Sequence, residues 1–556
     1  MTSDFRRSSL PVRRIAERNF AAHWTSETMW SCFAAHARER PNDIAVVDRE
    51  GARSVSNAEV HHLALALASS LRRRGVSEGD VVSVQLPNCL EGVVAALAVQ
   101  ALGCVLNPLL TNYRASELRY KFSKIHPAVV ITPTVYRRHD YPEMIEEVRR
   151  SAPELVFVHV TAGLSDGGDA QRGDVSFEEL LEPDNAVSTL HGISPDAVSE
   201  IIFSSGTEAT PKAVMHSEQT TNFAVRNVAS YLGIGSDDVV WMPSPIGHST
   251  GFNYGVRLAL VLGLKLVLQD VWDPAVAVRL INREHATFTL AATTFLQDLL
   301  DQADRDGAAL PSLQLFGCGG ASIPGELVQR AAKHEIRVLR LYGSTELLAA
   351  TWHRPNASID ELVAFDGMIM PHVQLRIMTD GGAAARDGEI GEIFVRSPSC
   401  ALGYFDDDAR TAETFDGDGW VKTGDLGLLH GQYLTITGRK KEIIIRGGLN
   451  ITPRELEELI LELPGVDRVA VIGLPDDRLG EVACACVIPK RDASIRLSDV
   501  TGHLVARGLA RFKLPEALIV VEAFPLTASG KVQKHLLKRM VSTSEHSVER
   551  RATPNS

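Results

Sequence analysis

The stretch Ile201–Lys212, IIFSSGTEATPK, is the most informative part of the sequence. An apolar strand leads into a loop of Ser, Thr and Gly residues that closes on a lysine. Hydroxyls and exposed backbone N–H groups suit phosphate oxygens, and a lysine can neutralise their charge. The loop is not a P-loop, because GxxxxGK[ST] is absent. Taken alone, it fits a phosphate site and a polar strand-to-helix turn equally well.

Three distant segments carry residues that could complete a nucleotide site. Gly317–Ser322, GCGGAS, follows an apolar strand, and glycine lets a backbone approach a ligand closely. It fails as a dinucleotide fingerprint, because that pattern needs glycine at position 322. Tyr342–Glu346, YGSTE, offers an aromatic plane, hydroxyls and a carboxylate, and Thr423–Asp425 offers a carboxylate expected on a tight turn. Each segment is a weak signal by itself.

Composition excludes several classes of protein. The 556 residues are 45% hydrophobic and 23% charged, which is ordinary for a globular chain and argues against a disordered or fibrous one. The net charge of −12 and the lack of a dense Lys/Arg stripe argue against nucleic acid as the main partner. The most apolar stretch, Gly92–Leu106, is too short to span a bilayer and predicts a buried helix over Leu90–Leu102.

The cysteines and the N-terminus indicate a reducing compartment. Seven cysteines without a CxxC pair do not form a disulfide framework. Cys484 and Cys486 are two positions apart, so their side chains should share one face of a strand and pack in the core. No apolar segment follows the N-terminal arginines, so we expect no secretory signal and a cytoplasmic protein.

Short apolar runs alternate with helical stretches, which predicts an α/β fold with buried strands. The runs lie at 81–85, 128–132, 155–160, 200–203, 264–268 and 313–316. The sequence pattern changes after Tyr404, where glycines separate the short predicted strands of a smaller α+β unit. Thr452-Pro453 predicts a helix start, with Thr452 as the cap. We expect a loose N-terminal arm at 1–22, a large domain at 23–437, a small C-terminal domain at 438–543 and a disordered tail at 544–556.

In these motifs the chain resembles the adenylate-forming superfamily of acyl-CoA synthetases, adenylation domains and luciferases. SSGTEATPK at 204–212 matches the family loop [ST][ST]GTTGxPKG, and CGGASI at 318–323 matches GGAxL. YGSTE at 342–346 matches YGxTE, and KTGDLG at 422–427 contains TGD. The segments 438–457 and 526–531 match GRxKxxIxxGGxNIxPxEIE and PxTxxGK. In motif style the chain is closest to fatty or alicyclic acid–CoA ligases.

The resemblance implies a large domain of packed α/β sheets, a small mobile C-terminal domain and a two-step reaction. A carboxylate attacks the α-phosphate of ATP to give acyl-AMP and pyrophosphate, and coenzyme A then displaces AMP. Lys531 would reach the carboxylate and the α-phosphate, Thr345 would contact the α-phosphate, and Glu346 would hold Mg²⁺. Positioning and charge neutralisation should dominate, since the attacking carboxylate is already ionised.

The resemblance to this superfamily also implies a set of nucleotide-binding residues. These are Ser204, Ser205, Gly206, Thr207 and Lys212 for the β- and γ-phosphates, Gly319, Gly320, Ala321, Tyr342, Gly343 and Ser344 around adenine and the α-phosphate, and Asp425 with Arg439 for the ribose.

The phosphate loop departs from the family pattern at three positions. Glu208 stands where Thr is usual, and Ala209 and Ala213 replace glycines. A methyl group restricts positive φ, and a carboxylate near phosphates repels them unless it faces away or binds a metal. We interpret the loop either as a looser grip on the γ-phosphate or as a subgroup variant.

The acyl pocket is predicted from Pro245–Phe252, which matches the family's PLxHxxGF segment. His248, Gly251, Phe252 and Gly320 would line it, with His248 also guarding the thiol tunnel. Amino-acid-activating members carry an Asp here, whereas no acidic residue lies between Pro243 and Arg257. We therefore expect a substrate without an α-amino group. Gly251 and Gly255 beside aromatic residues suggest room for a bulky apolar acid.

Lys441 occupies the family's hinge position, and Gly447, Gly448 and Leu449 would approach the pantetheine arm of CoA. An adenylate-only ligase that passes its product to a carrier protein or acyltransferase is the main alternative. A luciferase-like oxygenase and a catalytically dead scaffold are weaker ones; Glu346, Asp425, Arg439 and Lys531 argue against a dead site. The oligomeric state is open, and a homodimer is compatible with the sequence.

Overall fold

Buried strands alternating with helices build most of the chain, as the sequence predicts. The computed structural model describes residues 11–164, 173–181, 190, 192–204, 211–319, 323, 325–476, 478–526, 531–543 and 549–550. Unit 1 comprises Met1–Ser204, Pro211–Gln374 and Val395–Val421, and unit 2 comprises Ser205–Thr210, Leu375–Phe394 and Lys422–Ser556. A large α/β part and a small C-terminal part are confirmed, and the mobility of the small part stays a prediction.

The described strands of unit 1 form two large sheets in which most neighbouring strands run parallel. The first has the spatial order β18 (Met368–Ile369), β17 (Thr351–Trp352), β16 (Arg337–Tyr342), β15 (Leu315–Gly319), β14 (Phe288–Ala291), β12 (Val239–Met242), β13 (Lys265–Leu268), β1 (Ile44–Asp48), β2 (Arg53–Ser56). The second has the order β11 (Ala213–Ser217), β10 (Val198–Phe203), β4 (Val105–Pro108), β3 (Val81–Val84), β5 (Val129–Pro133), β8 (Val158–Ala162), β9 (Val175–Ser176), and β6 (Val135–Tyr136) forms a separate hairpin with β7 (His139–Asp140).

Helices accompany these sheets along the chain. They are α1 (Pro11–Phe20), α2 (Met29–Glu39), α3 (Asn57–Arg73), α4 (Leu90–Ala101), α5 (Ala115–Ile125), α6 (Tyr141–Ser151), α7 (Phe177–Leu180), α8 (Glu218–Leu232), α9 (Ser249–Gly251), α10 (Leu258–Leu262), α11 (Pro274–Glu284), α12 (Thr293–Asp306), α13 (Gly325–Lys333), α14 (Ile359–Ala364) and α15 (Asp408–Thr414). A π-helical stretch, Phe252–Arg257, joins α9 to α10. Every residue of α4 is buried, which confirms the predicted buried helix.

The sequence expects a loose arm at the N-terminus, but α1 lies within that stretch. The Asn19 side-chain amide donates to the Asp418 carbonyl at 3.1 Å, and the Trp24 indole donates to the Pro398 carbonyl at 3.0 Å. Phe20 is buried. These contacts with the segment 395–421 are far apart in sequence, which is why local composition could not reveal them.

The described residues of unit 2 form two groups of strands and three α-helices. The first group is β19 (Gln374–Met378), β20 (Gly391–Arg396), β21 (Val421–His430) and β22 (Tyr433–Arg439). The second has the order β24 (Leu449–Ile451), β23 (Ile444–Arg446), β26 (Gly480–Pro489), β27 (Ala517–Val520), β28 (Glu549–Arg550), with β25 (Val466–Asp476) also on β26, and the helices are α16 (Pro453–Leu461), α17 (Leu497–Ala506) and α18 (Lys534–Thr543).

Strand β26 separates two hydrophobic clusters of unit 2. Cys484 and Cys486 face one cluster, and Ala483, Ala485 and Val487 face the other. This alternation is the period of two expected of a strand buried on both faces. All seven cysteines are buried free thiols, so the predicted core packing is confirmed.

Two local expectations need correction. Thr452 occupies the position before α16, and Pro453 begins the helix as predicted, but the Thr452 side chain makes no capping hydrogen bond. Residues 549–550 of the tail expected to be disordered form β28, which pairs antiparallel with β27. Within the described ranges, no helix combines the length and apolar character needed to cross a membrane.

Candidate active site

The predicted phosphate loop begins where β10 ends. The backbone N–H of Ser204 donates to the Lys212 carbonyl at 2.8 Å, and the Lys212 N–H donates to Ser204 Oγ at 3.2 Å. The chain then continues as β11, antiparallel to β10, so the loop joins two strands rather than a strand and a helix. The predicted residues Ser205, Gly206 and Thr207, together with Glu208 and Ala209, lie outside the described residues.

Glu346 and Lys212 both contact Tyr404, a residue that the sequence analysis did not identify. The Tyr404 hydroxyl donates to Glu346 Oε1 at 2.9 Å, and Lys212 Nζ lies 5.2 Å from the centre of the Tyr404 ring. One aromatic residue therefore contacts both a predicted phosphate ligand and a predicted metal ligand, which are 134 residues apart in sequence. Because Tyr404 belongs to neither motif, no spacing pattern in the sequence pointed to it.

The segments predicted around adenine and the α-phosphate follow two neighbouring parallel strands. Gly319 is the last residue of β15 and pairs with Leu341 in β16, which ends at Tyr342. Carboxyl ends of adjacent parallel strands commonly hold ligands. Gly320 and Ala321 lie outside the described part of the chain. Gly343 and Ser344 follow β16 directly, and the Ser344 carbonyl accepts from the Leu348 N–H at 2.8 Å.

A buried histidine supports the backbone of Thr345. His216 Nε2 lies 2.7 Å from the Thr345 carbonyl, so this nitrogen carries the proton, and Nδ1 lies 3.1 Å from Thr220 Oγ1. Burial lowers the pKa of His216 to about 4, because the charged imidazolium would lose its hydration. The neutral imidazole thereby holds the carbonyl next to the predicted metal ligand.

We expect the His216→Gln variant to lose less stability in acid than the wild type. The unfolded chain takes up a proton near pH 6.5 that folded His216 rejects until about pH 4, so folding stability falls as the pH drops through this window. By pH 5 the penalty reaches about 2 kcal/mol. Urea unfolding followed by tryptophan fluorescence at pH 7 and pH 5 would measure it.

Substitution of the exposed His62 by Gln provides the matched control. It removes one histidine without removing a buried one, so its pH dependence should equal that of the wild type. Glutamine at position 216 can still donate to the Thr345 carbonyl. An identical loss of stability in wild type and His216→Gln between pH 7 and pH 5 would contradict the prediction.

Asp425 and Arg439 form an ion pair within unit 2. Arg439 Nε lies 2.9 Å from Asp425 Oδ1, and these two residues face each other in the register of β21 and β22. Asp425 was expected on a tight turn, but it lies inside strand β21 and is only 6% exposed. The strand accommodates the motif because Gly424 adopts a φ of +71°.

The predicted acyl-pocket segment forms α9 and the π-helix of unit 1. His248 precedes α9, and its Nδ1 accepts from the Thr250 N–H at 3.2 Å. Phe252 is buried. A Cβ at Gly251 would come within 2.2 Å of the Pro245 carbonyl oxygen, and one at Gly255 within 2.6 Å of the Met242 side chain. The space beside these glycines is filled by the protein's own backbone and side-chain atoms. The expectation that they leave room for a bulky acid is therefore wrong.

A buried charge network holds the π-helix. Arg257 Nη2 lies 3.1 Å from Glu200 and Nη1 lies 2.8 Å from Glu218, and all three side chains have no exposed surface. The Arg257 guanidinium carbon lies 5.6 Å from the centre of the Phe252 ring, and Nε donates to Asn253. Glu200 is in β10, so the network joins the strand before the phosphate loop to the acyl-pocket segment. None of the predicted motifs includes Arg257, Glu200 and Glu218 as a set.

The remaining predicted residues belong to unit 2. Gly447 and Gly448 form the two-residue turn between β23 and β24, with φ of +55° and +82°, and Leu449 opens β24. Two positive φ values in a hairpin turn favour glycine at both positions. Lys441 lies in a short 3₁₀ turn after β22, and Lys531 is exposed.

Comparison with known proteins identifies the family of this chain. The sequence matches the AMP-binding enzyme family over residues 33–405 and the AMP-binding enzyme C-terminal domain over residues 455–531. The chain therefore belongs to the AMP-binding enzyme family, and the predicted adenylate-forming superfamily is confirmed. The predicted enzyme class, an AMP-forming acid–CoA ligase, is confirmed as well.

Two curated relatives span almost the whole chain. A medium-chain fatty-acid–CoA ligase of Escherichia coli K12 is 32% identical over 544 residues, covering 96% of this chain and 95% of that protein. A 3-[(3aS,4S,7aS)-7a-methyl-1,5-dioxo-octahydro-1H-inden-4-yl]propanoyl:CoA ligase of Rhodococcus jostii RHA1 is 33% identical, covering 90% and 96%. The crystal structure of ATP-bound MatB from Rhodopseudomonas palustris has a TM-score of 0.83 at 27% identity, covering 93% and 99%.

Proposed function

We propose that the protein activates an apolar, non-amino carboxylic acid with ATP, releases pyrophosphate, and transfers the acyl group from acyl-AMP to coenzyme A. The observation that carries this proposal is the cluster in which Lys212 and Glu346 both contact Tyr404 beside the start of the phosphate loop. A cation and a carboxylate held near one another in this way would suit a triphosphate and its metal ion. A bulky acid, fatty or alicyclic, is supported by the substrates named for the two relatives.

Glu346 fits the role of a Mg²⁺ ligand. Mg²⁺ is usually bound by one or two carboxylates together with substrate phosphates. One oxygen of Glu346 accepts from Tyr404, and within the described residues the other oxygen accepts no hydrogen bond. When bound, the metal ion would neutralise charge on the triphosphate.

The chain's own residues orient the reactants in the adenylation step. We assign Ser204, Ser205, Gly206, Thr207 and Lys212 to the β- and γ-phosphates and Thr345 to the α-phosphate. We assign Gly319, Gly320, Ala321, Tyr342, Gly343 and Ser344 to the surroundings of adenine and the α-phosphate. Asp425 accepts from the ribose hydroxyls, and Arg439 holds that carboxylate by its ion pair. Lys531 neutralises the approaching carboxylate and the α-phosphate, which lowers the repulsion between two anions.

For the thioester step we assign the turn Gly447–Leu449 to the pantetheine arm. We assign His248, Phe252 and Gly320 to the acyl pocket. Rotation of the small domain, residues 438–543, about Lys441 would exchange the two steps. A large domain at 23–437 and a cytoplasmic location complete the proposal.

One reaction tests it. Purified protein, ATP and Mg²⁺ are incubated with linear, aromatic, alicyclic and terpenoid acids, with and without CoA, and pyrophosphate, acyl-AMP and acyl-CoA are measured. We expect acyl-CoA from an apolar acid when CoA is present. Acyl-AMP that persists despite CoA would instead favour the adenylate-only ligase and a carrier protein or acyltransferase as partner. Turnover limited to acetate or propionate would refute the bulky acid.

A further inference from the structure

The segment 401–405 connects two parts of the candidate site in unit 1. It runs beside β11: Phe405 N–H donates to the Ala213 carbonyl at 2.8 Å, and Leu402 N–H donates to the Met215 carbonyl at 2.8 Å. At its other end, Ala401 N–H donates to the backbone carbonyl of Glu346 at 2.8 Å. The segment therefore fixes Tyr404 relative to both β11 and the YGSTE stretch.

The Tyr404 side chain is almost completely buried, at 2% exposure. Its ring packs edge-on against Phe415, with the centroids 5.8 Å apart. Its backbone N–H donates to Thr411 Oγ1 at 3.0 Å, which fixes the residue from the side of α15. A residue held from so many directions loses little further entropy when its hydroxyl binds the Glu346 carboxylate.

We propose that Tyr404 is a positioning residue for the metal ligand Glu346. The inference rests on the proposed function, in which Glu346 holds Mg²⁺. The phenol hydroxyl donates to Oε1 and so restrains rotation of the carboxylate, which would leave Oε2 available to the ion. Mg²⁺ demands a nearly ideal octahedral arrangement, so a carboxylate that rotates freely binds it less well. Partners that hydrogen-bond a metal ligand typically account for 10–100-fold in metal affinity or activity.

The ring of Tyr404 has a separate effect through Lys212. An ammonium above an aromatic face is attracted by the ring quadrupole. Lys212 Nζ lies 5.2 Å from the ring centre, so the same side chain that orients the carboxylate also restrains the cation of the phosphate loop. Removing only the hydroxyl separates the two effects, because phenylalanine keeps the ring.

The test compares the Tyr404→Phe variant with the wild type, and the first measurement is metal binding in the absence of turnover. Mn²⁺ binding in the presence of α,β-methylene-ATP, followed by the electron paramagnetic resonance signal of free Mn²⁺, should weaken about 10–100-fold. The Mg²⁺ concentration for half-maximal adenylation should rise by the same factor, while thioester formation from supplied acyl-AMP stays unchanged. A merely structural hydroxyl would leave the Mn²⁺ affinity of the folded variant at the wild-type value, which would overturn the proposal.

Two further variants make the outcome specific. Tyr120→Phe removes a hydroxyl that donates to the Pro211 carbonyl at 3.2 Å, and it should leave the Mn²⁺ affinity unchanged. Glu346→Gln should weaken Mn²⁺ binding at least as much as Tyr404→Phe, and the double variant should be no weaker than Glu346→Gln alone. If Glu346→Gln has no effect, the metal assignment itself fails; if only Tyr404→Phe has no effect, the positioning role fails.

Discussion

Replacing Lys531 with alanine should reduce acyl-AMP formation by about 10²–10³-fold or more, while thioester formation from supplied acyl-AMP continues at the wild-type rate. The side chain is exposed, so its removal should have little effect on folding stability. The loss would come from the reaction itself, in which a carboxylate must approach a polyphosphate. Pyrophosphate release measures the first step, and acyl-CoA formation from synthetic acyl-AMP measures the second.

Lys490→Ala is the matched control for Lys531→Ala. Lys490 is an exposed lysine of the same unit, directly after β26, and the proposed site does not use it. Its substitution should leave both half-reactions unchanged. If Lys531→Ala slowed both half-reactions equally, the alternation between two states of the small domain would be wrong, even though the enzyme class would stand.

Replacing Arg257 with methionine should destabilise unit 1 by about 3–5 kcal/mol. The substitution leaves the carboxylates of Glu200 and Glu218 without their buried cation, and an uncompensated buried charge carries a penalty of this size. All six tryptophans lie in segments of unit 1, so the midpoint of urea unfolding followed by tryptophan fluorescence reports that unit alone. The adjoining π-helix should also lose its fixed Phe252 ring, which would raise the KM for the acid.

The pH dependence of Arg257→Met identifies the cause. Burial already raises the pKa of Glu200 in the wild type, although Arg257 opposes the effect. Without Arg257 the Glu200 carboxylate should protonate more readily in the folded state. Because a pKa raised on folding favours the folded state at low pH, the deficit relative to wild type should shrink as the pH falls from 7 to 5.

Arg226→Ala is the control for a charge pair at the surface. Arg226 lies 2.8 Å from Glu27, but both side chains are substantially exposed, at 36% and 51%. Exposed pairs contribute about 0–1 kcal/mol, so this variant should unfold close to the wild-type midpoint. Equal destabilisation of Arg226→Ala and Arg257→Met would mean that burial of the network has no special energetic weight.

Several features of the fold followed from local patterns. The apolar runs at 81–85, 128–132, 200–203 and 264–268 coincide with β3, β5, β10 and β13 within one or two residues. They were predictable because a strand buried on both faces needs an uninterrupted apolar run. The apolar run at 155–160 predicts a strand that starts too early. Strand β8 begins at Val158, and Leu155 is buried in the preceding turn.

The sequence alone determined the family, the order of the motifs and the reaction class, because these depend on short segments whose chemistry is local. The tertiary structure alone decided which distant residues meet. Tyr404 joins Lys212 to Glu346, His216 supports Thr345, and Arg257 neutralises two buried carboxylates. It also showed that Gly251 and Gly255 accommodate the protein's own packing rather than a substrate. Such contacts arise when strands and helices that are far apart in the chain pack together. The spacing of residues within a local motif therefore does not predict them.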